Sequence, residues 1–129
     1  RAAAARPPFP MSLAGLGAFD SWDRPRVVWL GAAEGAAELT RLAEALRAEL
    51  SSAGFPTEDR PFKAHLTLCR LKSPPSPPEV EGLKRTAARW EAPEAWAGAR
   101  ARVGELVLME SRLAPGGARY LPVSRQELG

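Results

Sequence analysis

Arg60-Pro-Phe-Lys-Ala-His-Leu-Thr-Leu-Cys-Arg70 contains the one histidine of a 129-residue chain. Pro61 bounds it on one side and Ser73-Pro-Pro-Ser-Pro-Pro78 on the other, so Phe62 to Leu71 reads as a strand. Alternate residues of a strand share a face. His65, Thr67 and Cys69 are therefore expected to point one way and Leu66 and Leu68 the other, the leucines packing on a helix. The imidazole and the hydroxyl would stand roughly 7 Å apart along the backbone, close enough to converge on one small tetrahedral group. Imidazole titrates near neutral pH and moves protons. A threonine hydroxyl donates a hydrogen bond to a phosphate oxygen, and Lys63, Arg70 and Lys72 add positive charge. These are parts for phosphoryl chemistry without a metal.

Outward from this segment, helices and strands alternate. Phe9 to Phe19 reads as extended, Asp20 to Pro25 as a turn, and Arg26-Val-Val-Trp-Leu30 as a strand bounded by Pro25 and Gly31. Leu39, Leu42, Leu46 and Leu50 mark one face of a helix over Ala36 to Ala53, with Gly54 as its stop. Glu38/Arg41 and Glu44/Arg47 are i,i+3 pairs on its solvated side. Residues 73–78 read as a stiff connector, too rich in proline for helix or sheet. Val80, Leu83, Ala87 and Trp90 then give a second helix from Glu79 to Trp90. A loop with Pro93 and Trp96 leads to a long strand, Arg102 to Leu113, a turn at Pro115-Gly-Gly117, and a returning strand to Ser124. The expected class is α+β, with mainly antiparallel strands flanked by helices.

Composition narrows the function. One histidine and one cysteine leave no multi-histidine metal site, no cysteine-based zinc cluster and no internal disulfide. No run of apolar residues is long enough for a transmembrane helix. Residues 1–10 lack the apolar core of a signal peptide, which makes the cytoplasm the default location. Eighteen basic and fifteen acidic residues leave a net charge of +3, which permits an anionic ligand without demanding one. No glycine-rich phosphate loop and no GxSxG elbow is present. Arg1-Ala-Ala-Ala-Ala-Arg6 reads as the end of a helix stopped by Pro7-Pro8.

The motif His65-Leu66-Thr67-Leu68, with Phe62 before it and Arg70 after it, resembles the second signature of the 2H phosphoesterases, in particular the bacterial 2′-5′ RNA ligase (LigT-like) group. The order of elements around it is similar too: a small-residue segment with Gly15, Gly17 and Phe19, the RPRVVWLG strand, a leucine helix, the motif strand, a basic helix and a hairpin. The resemblance spans nearly the whole chain. It implies a two-lobed α+β fold with a cleft between the lobes. It implies hydrolysis of RNA 2′,3′-cyclic phosphate ends to 2′-phosphates, with some members also joining 2′-5′ linkages, and no cofactor or metal. The expected site is His65 as general base and Thr67 as phosphate ligand, with Arg70, Lys63 and Phe62 binding substrate. The expected partner is RNA, for a monomer away from membranes.

Two departures stand out. Ala64 replaces a common proline, and the family's first His-x-Thr motif is absent from these 129 residues. Either an N-terminal part carrying that motif is missing, or this is a single-motif protein that binds phosphate ends weakly or turns over slowly, with Tyr120 or a partner chain standing in for the second group; a module that grips RNA ends or nucleotides without turnover is the alternative. A third reading, an incidental structural histidine, requires His65 to be buried beside no cleft. Strict alternation also puts Arg70 on the face opposite His65, so its role requires a bend in the strand. Cys69 is expected as a small filler, Trp29 as core, Trp90 and Trp96 as packing, and Trp22 as a candidate base platform. Arg24, Arg26, Lys63 and Arg70 read equally well as lining for an RNA backbone and as ordinary surface charges.

Overall fold

The computed structural model describes Ala3 and residues 6–129, so the helix end expected over Arg1 to Arg6 lies almost wholly outside the described residues. The elements run β1 (Phe9–Asp20), β2 (Pro25–Ala32), α1 (Ala36–Ser52), β3 (His65–Arg70), α2 (Pro77–Arg89), a 3₁₀ turn (Pro93–Trp96), β4 (Arg100–Val103), β5 (Glu105–Ala114) and β6 (Gly117–Glu127). Four strands form an antiparallel sheet in the order β3-β2-β1-β4, and β5 pairs with β6 as a separate hairpin. The class is α+β, as the alternation of periods implies.

α1 lays Leu39 and Leu42 against Phe9 of β1 and Val103 of β4, and Leu106 and Leu128 close the cluster. Leu42, at 4% exposure, is its most buried helical residue. Full burial of such a side chain contributes about 1.5–3 kcal/mol. Gly54, with φ of 84°, turns the chain out of the helix where a stop was expected.

Several boundaries differ from the sequence reading; the returning strand runs to Glu127 rather than Ser124, and three others differ for a local reason. The single strand expected from Arg102 to Leu113 is two strands broken at Gly104. Its first part pairs with β1, its second with β6, and the Leu128 N–H donates to the Gly104 carbonyl at 2.9 Å where the chain changes sheet. The connector at 73–78 is shorter than expected, because Pro77 and Pro78 form the first turn of α2. Proline fits there, since the first helical N–H groups have no partner within the helix. Glu79 reaches back to Ser76, taking its N–H and its hydroxyl at 2.7 Å each, which holds the Glu79 carboxyl below its usual range. Finally, β3 begins at His65 rather than at Phe62.

The expected packing of the β3 leucines is also overturned. Leu66 and Leu68 are 50% and 49% exposed. β3 is the edge strand, while the leucines of α1 pack on Phe9 of β1 and Val103 of β4, two and three strands away in the sheet order. The same face is buried one strand inward, at Val28 and Leu30.

Candidate active site

The face of the sheet that carries His65 is built from three strands. Residues directly opposed in an antiparallel pair share a face. His65 opposes Gly31, Thr67 opposes Trp29, and Trp29 in turn opposes Gly17. Phe19, two residues beyond Gly17, shares that face. Glycine at 17 is a packing requirement, because a methyl group there would overlap the Trp29 indole. The ring therefore lies over Gly17 of β1, beside the histidine.

His65 is exposed, with its ring edge against Phe19 (centroids 5.0 Å apart, planes at 87°) and near Trp29 (6.1 Å). Phe19 and Trp29 pack with centroids 5.3 Å apart and planes tilted by 38°. The His65 Nδ1 lies 2.6 Å from the Lys63 carbonyl oxygen. A carbonyl only accepts, so Nδ1 carries the hydrogen and Nε2 of the neutral ring holds the free lone pair. The same Lys63 folds its ammonium over Trp29 at 4.3 Å and over Phe19 at 5.7 Å. One residue thus orients the imidazole through its backbone and brings a cation beside it through its side chain. The loop that delivers this residue is tied to α1, where Arg47 donates to the Arg60 carbonyl at 2.9 Å. That bond replaces the Glu44 pairing expected for Arg47. Glu38 and Arg41 do pair, at 3.1 Å.

A β-bulge then changes the face assignments. Thr67 opposes Trp29, but Cys69 opposes Val28 and Arg70 opposes Val27. Two steps along β3 match one step along β2, with Leu68 as the extra residue. Val27 shares a face with Trp29, so Arg70 joins His65 and Thr67. Cys69 moves to the face of Val28, which corrects its expected place beside His65. The arginine expected to need a bend has one.

A hollow of about 470 Å³ adjoins this face, lined by Gly15, Trp29, Gly31, Phe62 and Lys63, though not by His65 or Thr67 themselves. Phe62 is 39% exposed at its rim. The sequence-predicted residues His65, Thr67, Arg70, Lys63 and Phe62 are thus gathered on one side of the sheet. Trp29, expected as core, and Phe19 belong with them. Alternation along Arg26-Val-Val-Trp-Leu30 separated Trp29 from the buried Val28 and Leu30, and was the signal that placed it. Trp22 lies instead beside Lys84, Ala87 and Ala88 on the α2 side. Trp90 and Trp96 pack together as expected, the Trp96 indole donating to the Trp90 carbonyl at 2.8 Å. Tyr120 lies on the separate β5–β6 hairpin, 65% exposed. Among the described residues no group of three or more His, Cys, Asp or Glu is placed to hold a metal ion. No described helix is long and apolar enough to cross a membrane.

The RNA 2′,3′-cyclic phosphodiesterase of Escherichia coli (strain K12) is 32% identical over 123 residues, 95% of this chain and 60% of that protein. The protein of the same name from Aeropyrum pernix is 44% identical over 77 residues, 60% of this chain and 44% of its own length. Among solved structures, TT0787 of Thermus thermophilus superposes with a TM-score of 0.66 at 32% identity, covering 98% of this chain and 63% of that one. E. coli LigT complexed with 3′-AMP gives 0.65 at 28% identity, covering 95% and 61%. The chain spans less than two thirds of each of these proteins. The LigT like Phosphoesterase family model matches residues 30–120, and the chain belongs to that family.

Proposed function

We propose that this chain contributes half of a metal-independent site that opens 2′,3′-cyclic phosphates at RNA 3′ ends. In the reaction, water attacks phosphorus and the P–O3′ bond breaks, leaving a 2′-phosphate and a 3′-hydroxyl. The His65 Nε2 takes the proton from the attacking water, and a second acid outside the residues assigned here gives one to O3′. Thr67 donates to a non-bridging oxygen. Arg70 offers its planar fork to the phosphate, Lys63 adds a second positive charge, and Phe62 flanks the ribose. With the 5′-hydroxyl of a second RNA in place of water, the same exchange forms a 2′-5′ linkage. The protein acts as a cytoplasmic monomer in this reading; the free, exposed Cys69 suits a reducing compartment.

One observation carries the proposal: the Lys63 carbonyl fixes the Nδ1–H of an exposed histidine, leaving Nε2 available to a proton. The test is turnover of an RNA ending in a 2′,3′-cyclic phosphate, in EDTA, by the protein expressed from its whole reading frame. His65→Ala is expected to lose about 10²–10⁴-fold in rate. Unchanged turnover by that variant refutes the assignment. RNA binding with no turnover by the wild type favours an end-binding module instead.

A further inference from the structure

We propose that the far end of the β2–β3 pair is a second binding site, for the single-stranded RNA that lies 5′ of the reacting phosphate. This rests on the function proposed above. A 2′,3′-cyclic phosphate is a 3′ terminus, so the rest of the strand leaves the site in one direction only. The sheet offers a basic path in one direction. From His65 and Thr67 the face runs to Arg70, and the chain continues to Lys72, seven residues and roughly 20 Å from His65. The Leu71 N–H donates to the Arg26 carbonyl at 2.9 Å, which sets Arg26 beside the end of β3. Alternation with Val27 turns its side chain to the face opposite His65, so the path rounds the end of the β2–β3 pair, with Arg24 beyond Pro25.

A cavity of about 560 Å³ opens there, lined in part by Asp20, Asp23, Arg24, Arg26, Lys72 and Pro75. Among the described residues no carboxylate pairs with Arg24, Arg26, Arg70 or Lys72. Two acids do line the cavity, but Asp23 is held by Lys84 at 2.7 Å, which leaves Asp20 against three cations. The three are exposed and come from separate points along the chain. Exposed cations without carboxylate partners suit the phosphates of a bound strand. Lysine and arginine contacts of this kind bind without sequence preference and weaken with salt.

The experiment compares two substrates: a nucleoside 2′,3′-cyclic phosphate and a single-stranded oligoribonucleotide with the same terminus. The proteins are the wild type and the triple variant Arg24→Ala, Arg26→Ala, Lys72→Ala. At low salt, the variant is expected to lose about tenfold in kcat/KM on the oligonucleotide and nothing on the mononucleotide. The mononucleotide rate also reports that the variant is folded. Equal losses on both substrates, or no loss on either, overturn the inference. If the wild type opens neither substrate, the catalytic reading fails, and the RNA site is judged by direct binding of the labelled oligonucleotide. The variant should then bind more weakly, with the slope of log K against log salt reduced by about two. Identical binding and slope overturn it.

Discussion

Arg70 stands opposite Val27 across the β2–β3 ladder, and this pairing brings it to the face of His65. The cause is the extra residue, Leu68, inserted after Thr67. A guanidinium on that face presents two parallel donors to a phosphate. Arg70→Ala should lower kcat/KM by about 10²–10³-fold, the range for losing one donor to a developing oxyanion, and Arg70→Lys should restore only part of it. The double exchange Cys69→Arg with Arg70→Cys tests the bulge itself. In the observed register it moves the cation to the wrong face and should behave like Arg70→Ala, whereas a regular strand would keep it active.

Trp29 lies over Gly17, and this contact shapes the floor under His65. Gly17→Ala should displace the indole and destabilise the fold by about 1–3 kcal/mol, the usual cost of overpacking. Thermal unfolding should show a lower midpoint, and near-ultraviolet circular dichroism a changed tryptophan signal. An unshifted midpoint would contradict the packing.

Lys63 has two separable functions. Its carbonyl orients His65, and any residue at this position retains that function. Its ammonium sits over Trp29 and Phe19. Lys63→Gln should therefore raise KM several-fold with little change in kcat, as expected when an exposed cation that aids binding is removed. A fall in kcat matching that of His65→Ala would show that the side chain also acts on the chemical step.

The β1–β2 turn is tied to α2 by Asp23 and Lys84 at 2.7 Å. The Lys84 ammonium holds the Asp23 carboxyl below its ordinary value of 3.8, and the Asp23 contact raises Lys84 above 10.5. Asp23 thus favours the folded state fully above pH 3.8, and that contribution fades as pH falls through its lowered value. Lys84 contributes fully below pH 10.5 and loses this as pH rises through its raised value. Both groups are solvated, so the effect is small. Asp23→Asn should leave stability near neutral pH slightly lower and flatten the acid limb of a pH–denaturation series. An unchanged acid limb would contradict the pairing.

The elements set by local patterns were legible in the sequence. The leucine repeat from Leu39 to Leu50 and the β-branched run from Arg26 to Leu30 mark α1 and β2, and the lone His-x-Thr marks the candidate site. What was not legible depends on partners distant in sequence. Nothing local to Leu68 marks a bulge; it exists only because β2 fixes a register on both sides of it. Gly104 could have continued a strand, and it breaks because β1 and β6 each claim one half. Leu66 and Leu68 have the pattern of a buried face, yet the edge position of β3 leaves them half exposed. Pro77 and Pro78 read as a barrier to helix because their use at a helix start depends on Ser76 and Glu79 beside them.

The most direct test of the central claim is phosphorus NMR of an RNA 2′,3′-cyclic end incubated in EDTA with protein expressed from its whole reading frame. The cyclic phosphate resonance should give way to that of a 2′-monoester with the wild type and persist with His65→Ala. Conversion by the variant, a 3′-monoester product, or a requirement for added divalent cation would contradict it.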